Sequence, residues 1–162
     1  MAFAPTLAPA LESYRSGSFV QLRQSFPSEV EVISPFVKQL MRFIARFRKA
    51  DGSEVEVEVA LREALANAIL HGNNQDAGKR VFVTCRCSMD GEVSITIEDE
   101  GQGFECATVP DPTAPENLQL TNGRGIYLMK RLMDEVRFEQ GGAIVHMRKN
   151  GNASSGATRE SQ

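Results

Sequence analysis

The sequence predicts an α+β domain: a two-layer α/β sandwich with helices packed on one face of a mixed, mostly antiparallel sheet. Three observations predict it. Two strand-like runs, Arg80 to Cys87 and Glu92 to Asp99, flank Met89-Asp90-Gly91, and Asp-Gly is a strong signal for a tight hairpin turn. Two longer stretches before them repeat apolar residues every three to four positions, the period of an amphipathic helix. A third helical pattern, Arg124 to Met133, precedes a last pair of strand-like runs turned at Gly141-Gly142. Helices with one apolar stripe and strands with one apolar face bury those surfaces against each other.

Residues 1–17 are rich in Ala, Pro and Ser, and residues 150–162 hold almost nothing that could pack. Both are expected to be flexible tails around one domain spanning 18–149. Phe19 to Phe26 reads as a short strand. Val30, Ile33, Val37, Leu40, Met41, Ile44 and Phe47 then follow at helical spacing. Pro35 leaves two starts for this helix. It begins at Ser28 and kinks, or Ser34 caps it with Pro35 at the first helical position, where the missing N–H is harmless. Asp51-Gly52 ends the pattern. Ser53 and Glu56 have the spacing of a capping box. Val57, Leu61, Leu65, Ala68 and Ile69 then form the stripe of a second helix that reaches Gly72. The Val-Glu alternation at its start also suits a strand, but no turn residue interrupts the stripe. Cys106 to Asn122 carries three prolines and several small polar residues, the composition of a mobile loop.

A chain of 162 residues with 41% hydrophobic and 24% charged residues fits one ordinary globular domain. No run approaches the roughly 18 apolar residues of a membrane helix. A net charge of −3 lacks the basic balance that phosphate-backbone binding demands, so neither nucleic acid nor membrane is expected as a partner. The opening M-A-F-A-P-T-L-A-P-A has no basic region or continuous apolar core of a signal peptide, which makes the cytoplasm the expected location. Cys85 and Cys87 share a strand face and Cys106 falls in the loop. With no second cysteine pair to complete a zinc site, they read as reduced and structural.

Three motifs carry chemistry. In E-A-L-A-N-A, Glu63 and Asn67 stand four residues apart on a largely apolar helix, so their side chains are neighbours and partly enclosed. An Asn carbonyl oxygen with triphosphate oxygens is a fitting donor set for Mg²⁺, and a carboxylate beside it can act as a general base. In D-E-G-Q-G, Asp99 ends the apolar row Val93, Ile95, Ile97, so its carboxylate points between sheet and helices. There it can accept the exocyclic N–H of adenine. Gly101 and Gly103 let backbone approach a planar base closely. In G-R-G, Gly123 and Gly125 lie at the mouth of a helix whose free N–H groups favour phosphate, and Arg124 can add a direct contact. Each motif alone also fits a bland account: a solvated helix face, a tight turn, a flexible loop. His71 reads as a packing or phosphate-side residue and His146 as a surface histidine.

The three motifs in this order and spacing resemble the Bergerat-type ATP-binding fold of gyrase, Hsp90, histidine kinases and MutL. Within it, E-A-L-A-N-A-I-L-H-G-N, G-R-G-I-Y-L-M-K-R-L-M-D-E-V and D-P-T-A-P-E-N-L are similar to the N-box, last helix and lid of the anti-sigma-factor serine-protein kinases of the RsbW and SpoIIAB type. The resemblance implies Glu63 as catalytic base, Asn67 as Mg²⁺ ligand and Asp99 as adenine holder. Gly101 and Gly103 would shape the base pocket, while Gly123, Arg124 and Gly125 would cradle the phosphates of ATP. It further implies phosphorylation of a serine on a STAS-type anti-anti-sigma factor, sequestration of a sigma factor and a homodimer. One departure is Ala143, where many relatives carry Thr, which removes a hydroxyl near the adenine. A nucleotide-gated binding module without kinase activity and a stand-alone sensor histidine kinase catalytic domain are the alternatives. All these readings require Glu63 and Asn67 to face Asp99 across one cleft deep enough for a nucleotide.

Overall fold

The computed structural model describes residues 12–16, 18–103 and 123–151. The chain forms β1 (Glu12–Ser16), β2 (Phe19–Pro27), α1 (Ile33–Ile44), α2 (Glu54–Asn67), β3 (Arg80–Ser88) and β4 (Val93–Asp99). α3 (Arg124–Leu132), β5 (Glu135–Glu139) and β6 (Ile144–Lys149) follow. The loop expected at Cys106 to Asn122, with its lid motif, lies outside the described residues, as does nearly all of the C-terminal stretch.

The strands make one sheet in the order β1-β2-β3-β4-β6-β5. All five pairings are antiparallel, so the described sheet contains no parallel pair. Glu12–Ser16 corrects the expectation of a tail through residue 17: it pairs with β2 from Glu12↔Arg23 to Ser16↔Phe19. That short stretch lacks an apolar alternation, so only the neighbouring strand edge reveals it.

One face of the sheet is apolar because side chains alternate along each strand. Val81, Val83, Cys85 and Cys87 of β3 and Val93, Ile95 and Ile97 of β4 are all buried there, and the two sulfurs lie 4.0 Å apart. Phe36, Val37, Leu40 and Ile44 of α1 and Val57, Leu61 and Leu65 of α2 cover that face. Phe36 meets Phe26 of β2 with ring centroids 4.8 Å apart. The outer face carries polar side chains, among them His146, whose Nδ1 is 2.9 Å from Thr96 Oγ1.

Neither expected start of α1 is right. A single 3₁₀ turn at Val30–Val32 leads into a helix beginning at Ile33, so Pro35 is its third residue and Ser34 its second. The proline is still within the first turn, where no intrahelical partner exists for its nitrogen. The capping box is also absent: Ser53 precedes α2 without capping it. Its Oγ instead accepts hydrogen bonds from Arg48 Nε at 3.0 Å and Nη2 at 2.7 Å. Among the described residues, no helix is long and apolar enough to cross a membrane.

Candidate functional site

α2 does not stop cleanly. Its last turn widens into a π turn at Ala68–Gly72, closed where the Asn73 N–H donates to the Ala68 carbonyl five residues back, at 2.8 Å. Such insertions are concentrated at functional sites because they rotate the following residues off the helical register. Here the turn carries Gly72 and Asn73 against the end of β4.

Contacts at the glycines place the three motifs. A Cβ at Gly125 would stand 2.6 Å from Glu63 Oε2 and 3.6 Å from Asn67 Oδ1, so the mouth of α3 lies directly on the α2 pair. Both α2 side chains are half-buried, as the enclosed helix face predicts. Gly123, with φ +92°, caps α3 in the left-handed conformation that favours glycine. Arg124, the first helical residue, is exposed.

Asp99 is buried at the end of β4 and faces inward with Ile95 and Ile97. Its Oδ1 accepts the Gly101 N–H at 2.8 Å. Burial pushes its pKa up; the Gly101 hydrogen bond and the positive charge of Lys79 oppose that rise, and Glu98 adds to it. Gly72 packs so closely that a Cβ there would lie 2.2 Å from Asp99 Oδ2. A Cβ at Gly101 would lie 2.1 Å from the Gly72 carbonyl oxygen, and one at Gly103 2.4 Å from that of Gln140. Backbone therefore meets backbone beside the aspartate at Gly72 and Gly101, and again at Gly103 and Gln140. Ala143 is buried, and its carbonyl accepts the Asp99 N–H at 2.9 Å, so its main chain serves the site without a hydroxyl.

Asn67 and Asp99 line one small cavity with Ala64, Ala68, Met129 and Gly142, which is one part of the expected cleft. Glu63 is not on that wall; it stands beside Gly125 at the neighbouring end of α3. The free space is about 10 Å³, room for roughly one water. That space is far too small for a nucleotide, so the described residues do not form the deep cleft that the sequence reading requires. A clear sign that the walls belong to a site is their composition, in which a carboxylate and an amide interrupt an otherwise apolar cavity.

His71 is exposed, beside rather than within this cavity. Asn73 was not predicted. It is wholly buried, its Oδ1 accepting the Glu100 N–H and its Nδ2 donating to the Arg80 carbonyl, each at 2.9 Å. Its signals in the sequence are its place as the last residue of the E-A-L-A-N-A-I-L-H-G-N motif, where the motif reading gives it no role, and the turn-forming run Gly72-Asn73-Asn74-Gln75.

Among the described residues, no group of three or more His, Cys, Asp or Glu could hold a metal ion by itself. The donors present, one amide oxygen beside a phosphate-favouring helix mouth, fit a hard cation that shares its ligands with a nucleotide.

The family model for the histidine kinase-like ATPase domain matches residues 26–149. An "Anti-sigma F factor" of Heyndrickxia coagulans is 32% identical over 99 residues, which cover 57% of this chain and 67% of that protein. The one from Geobacillus thermodenitrificans (strain NG80-2) is 32% identical over 114 residues, 67% of this chain and 77% of the relative. A third, from Geobacillus sp. (strain WCH70), is 35% identical over 97 residues, 58% and 65% of the two chains. The matched span contains all three motifs and strands β3 to β6, and the chain belongs to the histidine kinase-like ATPase domain family.

Proposed function

We propose that this protein is an ATP-dependent serine-protein kinase and anti-sigma factor, which phosphorylates a small anti-anti-sigma partner and sequesters a sigma factor. The observation that carries the reading is the seating of Gly125 on Glu63 and Asn67, while Asn67 shares a cavity with Asp99. The relatives named as anti-sigma F factors support the partner class.

In this reading Asp99 accepts the amino N–H of adenine, and Gly101 and Gly103 leave room for the base. The backbone N–H groups after Gly123, with Arg124 and Gly125, hold the phosphates. Asn67 would hold Mg²⁺ through its amide oxygen, and the ion when bound neutralises developing charge on the phosphates. Glu63 takes the proton of the partner's serine hydroxyl as that oxygen bonds to the γ-phosphorus. The bond between γ-phosphorus and the bridging oxygen breaks, and its electron pair leaves with ADP.

The test is incubation of the purified chain with Mg-ATP and the anti-anti-sigma partner. Acid-stable phosphoserine on the partner supports the kinase. A complex without phosphate leaves a nucleotide-gated binding module, and acid-labile phosphate indicates a histidine kinase.

Asp99 also predicts a pH dependence. Its carboxylate accepts the adenine N–H most strongly when ionised, and burial has raised its pKa. ATP affinity should therefore begin to fall at a higher pH than an ordinary aspartate would dictate. For stability the sign is opposite. The ionised form costs stability above the unfolded-state pKa, and the loss is recovered as pH falls through the higher folded value. Asp99→Asn, which retains an oxygen for the Gly101 N–H, is expected to weaken ATP binding while leaving the melting temperature equal or higher. Calorimetry and thermal melts check both; a marked drop in melting temperature would contradict the assignment.

A further inference from the structure

We propose that Asn73 is a positioning residue that sets base specificity, by holding the Asp99-Glu100-Gly101 corner through its side-chain amide. The inference rests on the nucleotide reading above and deepens it.

Asn73 is the one side chain of the π turn region that ties three segments together. From the end of that turn it reaches the start of β3, at the Arg80 carbonyl, and the corner after β4, at the Glu100 N–H. Its exposure is 0%, so no water substitutes for either partner without a structural opening. One end of the group donates and the other accepts, a combination that an amide offers and a hydroxyl or carboxylate of similar size does not in this fixed orientation. The π turn is what makes the reach: Leu70 and His71 are exposed, and the residue inserted into the turn swings Gly72 and Asn73 inward.

The corner it holds is the support of Asp99. Gly72 presses on Oδ2, and the Gly101 N–H holds Oδ1, so the carboxylate direction depends on where the 72–73 and 99–101 backbones sit. A carboxylate reads a purine by charge: it attracts the amino group of adenine and repels the carbonyl oxygen that guanine carries at the same position. That discrimination is strongly distance-dependent, whereas phosphate contacts at α3 are on a different element. Loosening the corner should therefore erode the choice of base before it erodes phosphate binding. Misplacement by about 1 Å can cost about 10²-fold in a rate, and the reading of a base by a carboxylate is sensitive to the same geometry.

The experiment compares the full chain with Asn73→Leu, which keeps the size and loses both bonds, and Asn73→Asp, which keeps an oxygen for the Glu100 N–H only. Affinities for Mg-ATP, Mg-GTP and Mg-tripolyphosphate are measured well below the melting temperature. Asn73→Leu is expected to lower the ATP-to-GTP affinity ratio by about tenfold, with tripolyphosphate binding changed by less than about threefold. Asn73→Asp should fall between. An unchanged ratio with a lowered melting temperature, or an equal loss for all three ligands, overturns the proposal. Should Asn73→Leu fail to fold, Asn73→Asp carries the comparison, and amide exchange of the wild type gives an independent reading. The Glu100 amide must be protected in the nucleotide-free protein, and rapid exchange there overturns the proposal. A wild type that binds no nucleotide defeats the kinase reading itself; a wild type that prefers ATP, with variants that prefer it equally, defeats only the role of Asn73.

Discussion

Glu63→Ala is expected to lower phosphoryl transfer by about 10²–10⁴-fold while ATP affinity stays within about threefold. The split follows from position. Glu63 stands beside Gly125 at the α3 mouth and is not among the residues lining the cavity shared by Asn67 and Asp99. A base acts on the attacking hydroxyl, which is present only in the reaction and makes no contribution to nucleotide binding in the ground state. Single-turnover transfer rates and calorimetric affinities, measured on the same preparation, separate the two quantities. Equal losses in both would mean that Glu63 holds the nucleotide or the fold, and would remove it from the role of base. Glu63→Gln is the sharper variant, since it keeps the volume against Gly125 and removes only the proton acceptor.

Arg48→Leu is expected to destabilise the fold by about 4 kcal/mol without changing ATP affinity below the melting transition. Arg48 is 6% exposed, although its type is almost never buried without partners. From the chain just after α1 its Nη1 donates to the Gly91 carbonyl at 2.8 Å and to the Asn150 carbonyl at 2.7 Å. Nε and Nη2 hold Ser53 Oγ at the head of α2, and Nη2 also pairs with Asp51 at 3.3 Å. One guanidinium thus joins both helices to the β3-β4 hairpin and the end of β6. Leucine replaces the packed stem but leaves the two carbonyls without their donor, at about 1–3 kcal/mol each when buried. The loss should appear as a drop of roughly 10 °C in melting temperature. Gly91 and Asp99 lie at opposite ends of the β4 hairpin strand, which is why nucleotide binding is expected to survive. A variant as stable as wild type would show that the carbonyls find other partners.

Much of this architecture was legible because it depends on periodicity. The apolar row Val93, Ile95, Ile97 places Asp99 inward by parity alone, and the buried pattern of β4 agrees. Glu63 and Asn67 share a helix face by the same kind of count, and both are half-buried. Where the cap and strand expectations failed, a partner outside the local pattern had changed the outcome. Ser53 has the right neighbours for a capping box, yet the buried guanidinium of Arg48 takes its hydroxyl. Glu12–Ser16 has no strand pattern of its own and is a strand only because β2 offers an unpaired edge. Pro35 tolerates a helix start two residues earlier than a Ser34 cap allows, because the whole first turn lacks internal N–H partners.

Spacing along each helix and strand sets which residues face inward, and the order of the three motifs is written in the chain. Folding in three dimensions is what seats Gly125 on Glu63 and Asn67, brings Gly72 and Gly101 together around Asp99, and lets Asn73 brace their corner. Most of those contacts join segments tens of residues apart, and their distances depend on a π turn and on glycine backbones in contact, features that carry no period to read.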